Sequence, residues 1–405
     1  MRRNIFLLVC ALLLTSLFVH GGGYQVRLQG HKQTGIALIG TPFAYGSSSQ
    51  FYNPGALSFV NLKYDFSLGA SGIVSNHVFR KMGTDYTERT DNPLGTPFYA
   101  YGSGKINDRL SIGIGVNTPF GSSAQWPKGW AGQYLVQDIS LMAIFIQPTI
   151  SYKITDRIGI GAGFVYAFGN VEFNRALPYG DNSSVNLEGT GNDIGFNVGV
   201  FFKPTESLSL GIDYRSEIVM EVEGGDATFN VPVSLQGSIP PANTFSAELP
   251  LPANLDFGLA YKFNEKLTLA ASVNWVMWET YDSLKFIFDE NGDLLSSSSP
   301  RLYSDSWISR IGAQYDMNET FTFRAGVYYD PTPTNEDYFS PETVSLNTLA
   351  FTLGMSIRPA KGLSIDLSYL QLNGMEAEKS YAPDNFSGTY KTLTIIPGIG
   401  LSYSF

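Results

Sequence analysis

Few residues in this chain have the type and spacing that covalent or acid–base chemistry needs. Past the N-terminal apolar run the only histidines are His31 and His77. Neither stands in a Gly-x-Ser-x-Gly or His-Glu-x-x-His setting, and neither pairs with an obvious serine nucleophile. Enzymatic catalysis is therefore not expected. The stretch Asp289-Glu290-Asn291-Gly292-Asp293 suggests a calcium loop, but Leu294 falls where the sharp turn needs glycine and Pro300 where the bidentate glutamate belongs. A plain loop turn is expected there, with no metal and no cofactor. The single cysteine, Cys10, excludes a disulfide scaffold. With a net charge of −10 and no basic patch, nothing could neutralise phosphates, so nucleic acid is not an expected partner.

What must position any functional group is legible in the composition. Only 15% of the 405 residues are charged, 43% are hydrophobic and 14% aromatic, with 42 glycines. A soluble domain carries about 25% charged residues, so this chain has little surface to give to water. Arg2 and Arg3 precede an apolar run from Ile5 to Val19, whose roughly 15 residues suit a signal peptide and are short for a spanning helix. Residues 1–22 are expected to be that signal, with Cys10 inside its apolar run rather than at a lipid anchor.

Beyond residue 60 apolar side chains recur at every second position, which is the period of a β-strand. Leu62, Tyr64, Phe66, Leu68 and Ala70 show it, as do Leu110, Ile112, Ile114 and Val116; Ile158, Ile160, Ala162, Phe164, Tyr166 and Phe168 alternate largely with glycine. About fourteen such strands can be placed, and short turns at Asn107-Asp108, Thr155-Asp156, Pro204 to Ser207 and Asn264 to Lys266 alternate with much longer connections. That alternation predicts an all-β fold, a transmembrane antiparallel barrel over residues 59–405, closed because an open edge in hydrocarbon would leave amides without partners. The apolar set then faces lipid, and Asp65, Asp193, Lys203, Asp213, Arg215, Asp256, Lys262, Arg310, Asp316, Arg324, Arg358 and Asp366 share the inward phase. Residues 23–58 are rich in Gly, Ser and Gln and break the rhythm. A small plug, or hatch, in the lumen is expected; a disordered tail is the alternative.

Several motifs in fixed order resemble the FadL/TodX family of outer-membrane transporters of long-chain fatty acids and other hydrophobic compounds. Gly23-Tyr24-Gln25-Val26 is similar to the start of mature family members, and Asn53-Pro54-Gly55 resembles the hatch-closing Asn-Pro-Ala segment, with glycine in place of alanine. Trp126-Pro-Lys-Gly-Trp130-Ala-Gly-Gln-Tyr134 resembles the third external loop, and Phe323-Arg324-Ala-Gly326-Val-Tyr-Tyr-Asp330-Pro-Thr-Pro333 a late strand and its loop.

The resemblance implies a hatched barrel with an inner pocket, an external apolar groove and a kinked third strand that opens the wall sideways. Carried onto this chain, it places Tyr24 and Val26 at the pocket, with Arg175 and Arg301 as candidate cations for a carboxylate. It builds the groove from Trp126, Trp130, Tyr134, Leu135 and Leu141, and sets the kink at Gly115, Pro119 and Gly121. The terminal aromatic Phe405 resembles the signal read by barrel assembly machinery. The expected partners are thus hydrophobic small molecules, outer-membrane lipid and that machinery, acting on a monomer. A general diffusion porin or a surface adhesin is the competing reading.

Overall fold

The computed structural model describes residues 22–405; all of the expected signal peptide but its last residue, Gly22, falls outside the described residues, with Arg2, Arg3 and Cys10. Fourteen antiparallel strands close into a barrel. They are β1 (Tyr64–Ser71 continued by Val74–Lys81), β2 (Phe98–Lys105), β3 (Leu110–Gln125), β4 (Asp138–Thr155), β5 (Ile158–Ala176), β6 (Ser184–Phe202), and β7 (Leu208–Arg215 and Ile218–Asn230). There follow β8 (Ala242–Leu251 and Asn254–Lys262), β9 (Leu267–Val276 and Ser283–Phe288), β10 (Ser297–Pro300 and Ser306–Asp316), β11 (Phe321–Asp330), β12 (Thr348–Ala360), β13 (Leu363–Tyr381) and β14 (Phe386–Ser404). Each strand pairs with its neighbour in sequence, and β1 returns to β14 in the register Asp65↔Ser404 to Ser71↔Gly398. Closure removes the free edge that hydrocarbon forbids.

The short turns share one device. Asn107, Asn264 and Asn318 each accept, through Oδ1, the amides two and three residues ahead at 2.8–2.9 Å. Thr155 and Thr205 do the same through Oγ1. A side chain that caps its own turn fixes a tight reversal with few residues. On the opposite side the strands run on: β5, β6, β13 and β14 are 19 residues long, against the roughly 9–11 that cross a membrane. Much of what the sequence pattern assigns to long connections, such as 169–191, is therefore hairpin, because Phe173, Val185 and Leu187 keep the two-residue period while packing on one another above the bilayer.

Leu68, Ile114, Phe164 and Leu353, the last 59% exposed, stand on the outward phase that meets lipid. The inward phase holds a second layer, the N-terminal residues 22–60, with two single-turn helices, α1 (His31–Thr34) and α2 (Ser49–Tyr52), and a 3-10 turn, Pro54–Phe59. Ion pairs and hydrogen bonds tie it to the wall. Arg27 meets Asp256 at 3.0 Å, Lys32 meets Asp366 at 3.6 Å, and Arg215 donates to the Phe51 carbonyl at 3.0 Å. Inward glycines let its backbone approach. A methyl on Gly199 would sit 2.3 Å from Asn53 Oδ1, and one on Gly161 would meet the Pro54 carbonyl at 2.5 Å.

Gly199→Val is therefore expected to leave barrel closure intact while unseating the segment. Heat-modifiable migration should persist, and trypsin should cut at Arg27 and Lys32. Continued resistance of those bonds would contradict the close fit.

Candidate functional site

The wall is interrupted between β2 and β3. β3 pairs with β2 up to Asn117↔Tyr99, and its register with β4 slips between Asn117 and Phe120. There Thr118 takes over, its Oγ1 accepting the Phe98 amide at 3.0 Å and donating to the Phe98 carbonyl at 3.2 Å. Contact resumes only at Gln125, whose amide donates to Asn92 Oδ1 and whose carbonyl accepts the Asp91 amide. Among the described residues no backbone hydrogen bond joins 93–97 to 119–124. The bared edge of β3 is served from inside the barrel. The Val26 amide donates to the Pro119 carbonyl at 2.7 Å, the Gly121 amide donates to the Tyr24 carbonyl at 3.0 Å, and Gln25 faces Phe120 across this antiparallel bridge.

A cavity of about 430 Å³ lies behind the break, lined by Leu94, Thr96 and Pro97 on one side and Phe120, Ser122 and Ser123 on the other. It falls in the size range of small-molecule sites. Next to it is a narrow apolar cleft walled by Ile139, Val171, Met220, Leu249, Leu284 and Phe286. Leu141, Met142 and Ser122 line both spaces.

Tyr24 and Val26 border the two spaces. Tyr24 is buried against the cleft, its hydroxyl bonded to the Pro250 carbonyl, its ring meeting Trp278 edge-on at 4.9 Å and Tyr281 at 5.8 Å. Val26 lines the side cavity. At the hatch turn, Asn53 Nδ2 donates to the carbonyls of Thr41 and Val200, and its Oδ1 accepts the Gly55 amide. Pro54 opens the 3-10 turn that follows. This pins the segment to β6.

Other expectations need correction. Gly115 is not part of the break: it pairs regularly with Tyr101 and Gln147, and lacks a side chain because the Tyr101 ring would lie 2.4 Å from a methyl there. Pro119 lies within the register slip, and Gly121 lies just beyond it, paired with Met142. Trp126 and Trp130 do not form an open groove: they are 3% and 1% exposed and stacked at 4.2 Å. Their indoles donate to the carbonyls of Pro341 and Val136, so they hold the loop together from within. Tyr134 is exposed, Leu135 half-buried, and Leu141 turns inward to the two cavities. Arg301 is buried in an ion pair with Glu342, with its own Ser299 and Pro300 carbonyls as further acceptors, which leaves it no free face for a ligand carboxylate. Among the described residues the Arg175 guanidinium donates to the Tyr134 carbonyl at 3.5 Å, and it lines neither space. Phe405 is 58% exposed and packs on Tyr64 and Tyr403, its backbone exchanging two hydrogen bonds with Tyr64.

Glu342 and Thr343, on the loop after β11, were not legible as site residues, yet they line both spaces, and the Gly23 amide donates to Ser345 on the same loop. Nothing local marks a loop that folds inward.

A closed lipid-facing barrel with an occupied lumen and an apolar cleft beside a gap in its wall is the architecture of an outer-membrane transport protein. Residues 12–405 match the model of the outer membrane protein transport family (OMPP1/FadL/TodX), and the chain belongs to that family. Its members are transport channels of the outer membrane rather than enzymes. The chain is 22% identical to outer membrane protein P1 of Haemophilus influenzae over 466 residues, covering 99% of each. It is 19% identical to the long-chain fatty acid transport protein of Escherichia coli O6:H1 over 307 residues, covering 67% of this chain and 68% of that one. Among solved structures, a Pseudomonas aeruginosa FadL homologue shares the fold with a TM-score of 0.84 at 20% identity, covering 95% and 100% of the two chains.

Replacing Tyr24 by alanine deletes the ring that separates the cleft from its surroundings. Binding of a fluorescent fatty acid to the purified protein should weaken about tenfold or more, which corresponds to a loss of about 1.4 kcal/mol of contact. Tyr24→Phe should bind close to wild type. Equal affinity for wild type and Tyr24→Ala would remove Tyr24 from the site.

Proposed function

We propose that this protein takes up long-chain fatty acids or similar hydrophobic compounds by passive diffusion, and that residues 23–58 are a hatch that blocks the lumen and must shift to release cargo. Residues 1–22 are read as a cleaved signal peptide and Phe405 as part of the assembly signal of a monomer. Cargo enters the apolar cleft from outside, passes Tyr24, and leaves sideways between 93–97 and 119–124 into the membrane without crossing water.

Release is the physical difficulty. Each buried methylene is worth about 0.8 kcal/mol, so a sixteen-carbon chain could gain on the order of 10 kcal/mol and stay. A pocket that can be taken apart solves this. The observation that carries the reading is that the two residues lining the cleft and the side cavity, Tyr24 and Val26, are also those whose backbone hydrogen-bonds the bared edge of β3. A small movement of that stretch would dismantle the pocket and widen the gap together. A general diffusion porin would instead need an open lumen, and here His31, Ile36, Ile39 and Tyr52 lie buried within it.

Thr96→Trp combined with Ser123→Trp fills the side cavity from both banks. Uptake of a lipophilic probe into vesicles containing the variant should fall to the level of protein-free vesicles while probe binding persists. Undiminished uptake would place the exit elsewhere. Steady large currents from the intact protein in planar bilayers would support the porin; the expectation is little current until residues 23–58 are deleted.

A further inference from the structure

The outward face of β14 is apolar from Tyr403 through Leu401, Ile399, Pro397 and Ile395 to Leu393. At about 3.3 Å per residue and a tilt of about 40°, that stretch rises about 25 Å, the height of a barrel's apolar band. Lys391 is the next outward residue and is exposed, so it stands at the level of the lipid headgroups.

Two more cations join it there. Val78 on β1 pairs with Lys391 on one side and, on the other, with Arg89 of the short strand Thr87–Arg89. Directly opposed residues share a face of the sheet, and Phe79 turns inward to full burial, so Val78, Lys391 and Arg89 all point out. Arg80, two residues along β1, has the same phase. It shares Glu376 at 3.5 Å, both side chains remaining about half exposed, and Glu378, opposite Thr389, is a second acid on that edge. The side chains of Arg89 and Lys391 make no ion pair among the described residues. The sequence shows no basic patch because these bases come from separate segments; strand pairing assembles one.

The rest of the outward rim above the apolar band differs. Across β5, β6 and β7 it is acidic: exposed Glu172 opposes Glu188, and Glu188 opposes Asp226. Below the three cations lie exposed apolar side chains, Val74, Leu94 and Leu393. Cations set directly above apolar surface fit an anionic lipid, and the arginine fork fits phosphate oxygens in particular. Exposed single pairs are weak, so affinity needs the three to act on one headgroup.

We propose that Arg80, Arg89 and Lys391 form a binding site for the phosphates of lipid A, the phosphorylated glycolipid of the outer leaflet, with its acyl chains lying on Val74, Leu94 and Leu393. The site stands on the lipid-facing surface and does not depend on which cargo the barrel carries.

The test is native mass spectrometry of the detergent-purified full chain, in EDTA, titrated with bisphosphorylated lipid A or with the same lipid after removal of its phosphates. Wild type should retain the phosphorylated form preferentially. Arg89→Gln combined with Lys391→Gln should weaken that binding about tenfold or more and leave the dephosphorylated lipid unchanged, whereas Glu172→Gln on the acidic arc should leave both unchanged. Heat-modifiable migration confirms that each variant is a closed barrel. Equal retention of the two lipids by wild type, or undiminished binding by the double variant, would overturn the site. So would binding that requires added Mg2+, which would assign it to the carboxylates, or a dimer abolished by the double substitution, which would assign this face to a second copy of the chain.

Discussion

The structure depends on one constraint: in hydrocarbon every backbone amide and carbonyl must find a partner inside the protein. Thirteen neighbouring pairs and the return of β1 to β14 satisfy it almost everywhere. At the β3 bulge the wall fails to satisfy it. The missing partners come from the N-terminal segment, through Val26 and Tyr24, with the Thr118 hydroxyl closing the end of the β2 ladder. A gap in a membrane wall is tolerable only where something inside the bore serves its edges. Here that something also lines the cavity, so the wall and the N-terminal segment are joined at the cavity.

The interior is built to receive this segment rather than to be empty. Inward glycines at 69, 161, 199, 211, 258, 326 and 354 face atoms of the N-terminal segment at distances no Cβ could share. Between them stand the inward charges, which burial would make costly if unpaired. Asp366 meets Lys32, Asp256 meets Arg27, and Arg215 caps the Phe51 carbonyl. Close backbone approach and charge pairing seat the segment together with the apolar packing of Leu28, Ile36 and Ile39 against the wall.

Much of this was legible in the sequence. The two-residue period placed the strands, the alternation of short and long connections implied lipid on the outside, and the inward charges fell on the predicted phase. The glycine alternation from Ile158 was visible as well, though its meaning was not: an inward glycine signals a second backbone only once one knows there is something to approach. What could not be read were contacts set by long-range closure. The pairing of Arg301 with Glu342, the stacking of Trp126 on Trp130 beneath Pro341, and the inward fold of the loop after β11 leave no local pattern. Gly115 was misplaced for a related reason, since the ring that requires it belongs to the neighbouring strand.

On the proposed route, cargo passes only when the N-terminal segment parts from β3. Gln25 and Phe120 oppose each other across the antiparallel bridge. Such pairs stand about 4.5–5.5 Å apart at Cα, within reach of a disulfide. Uptake of a lipophilic probe by vesicles carrying Gln25→Cys with Phe120→Cys should stop under oxidising conditions, with the probe still bound, and return on reduction. Equal uptake by the oxidised and reduced protein would show that the segment need not move and would contradict the account.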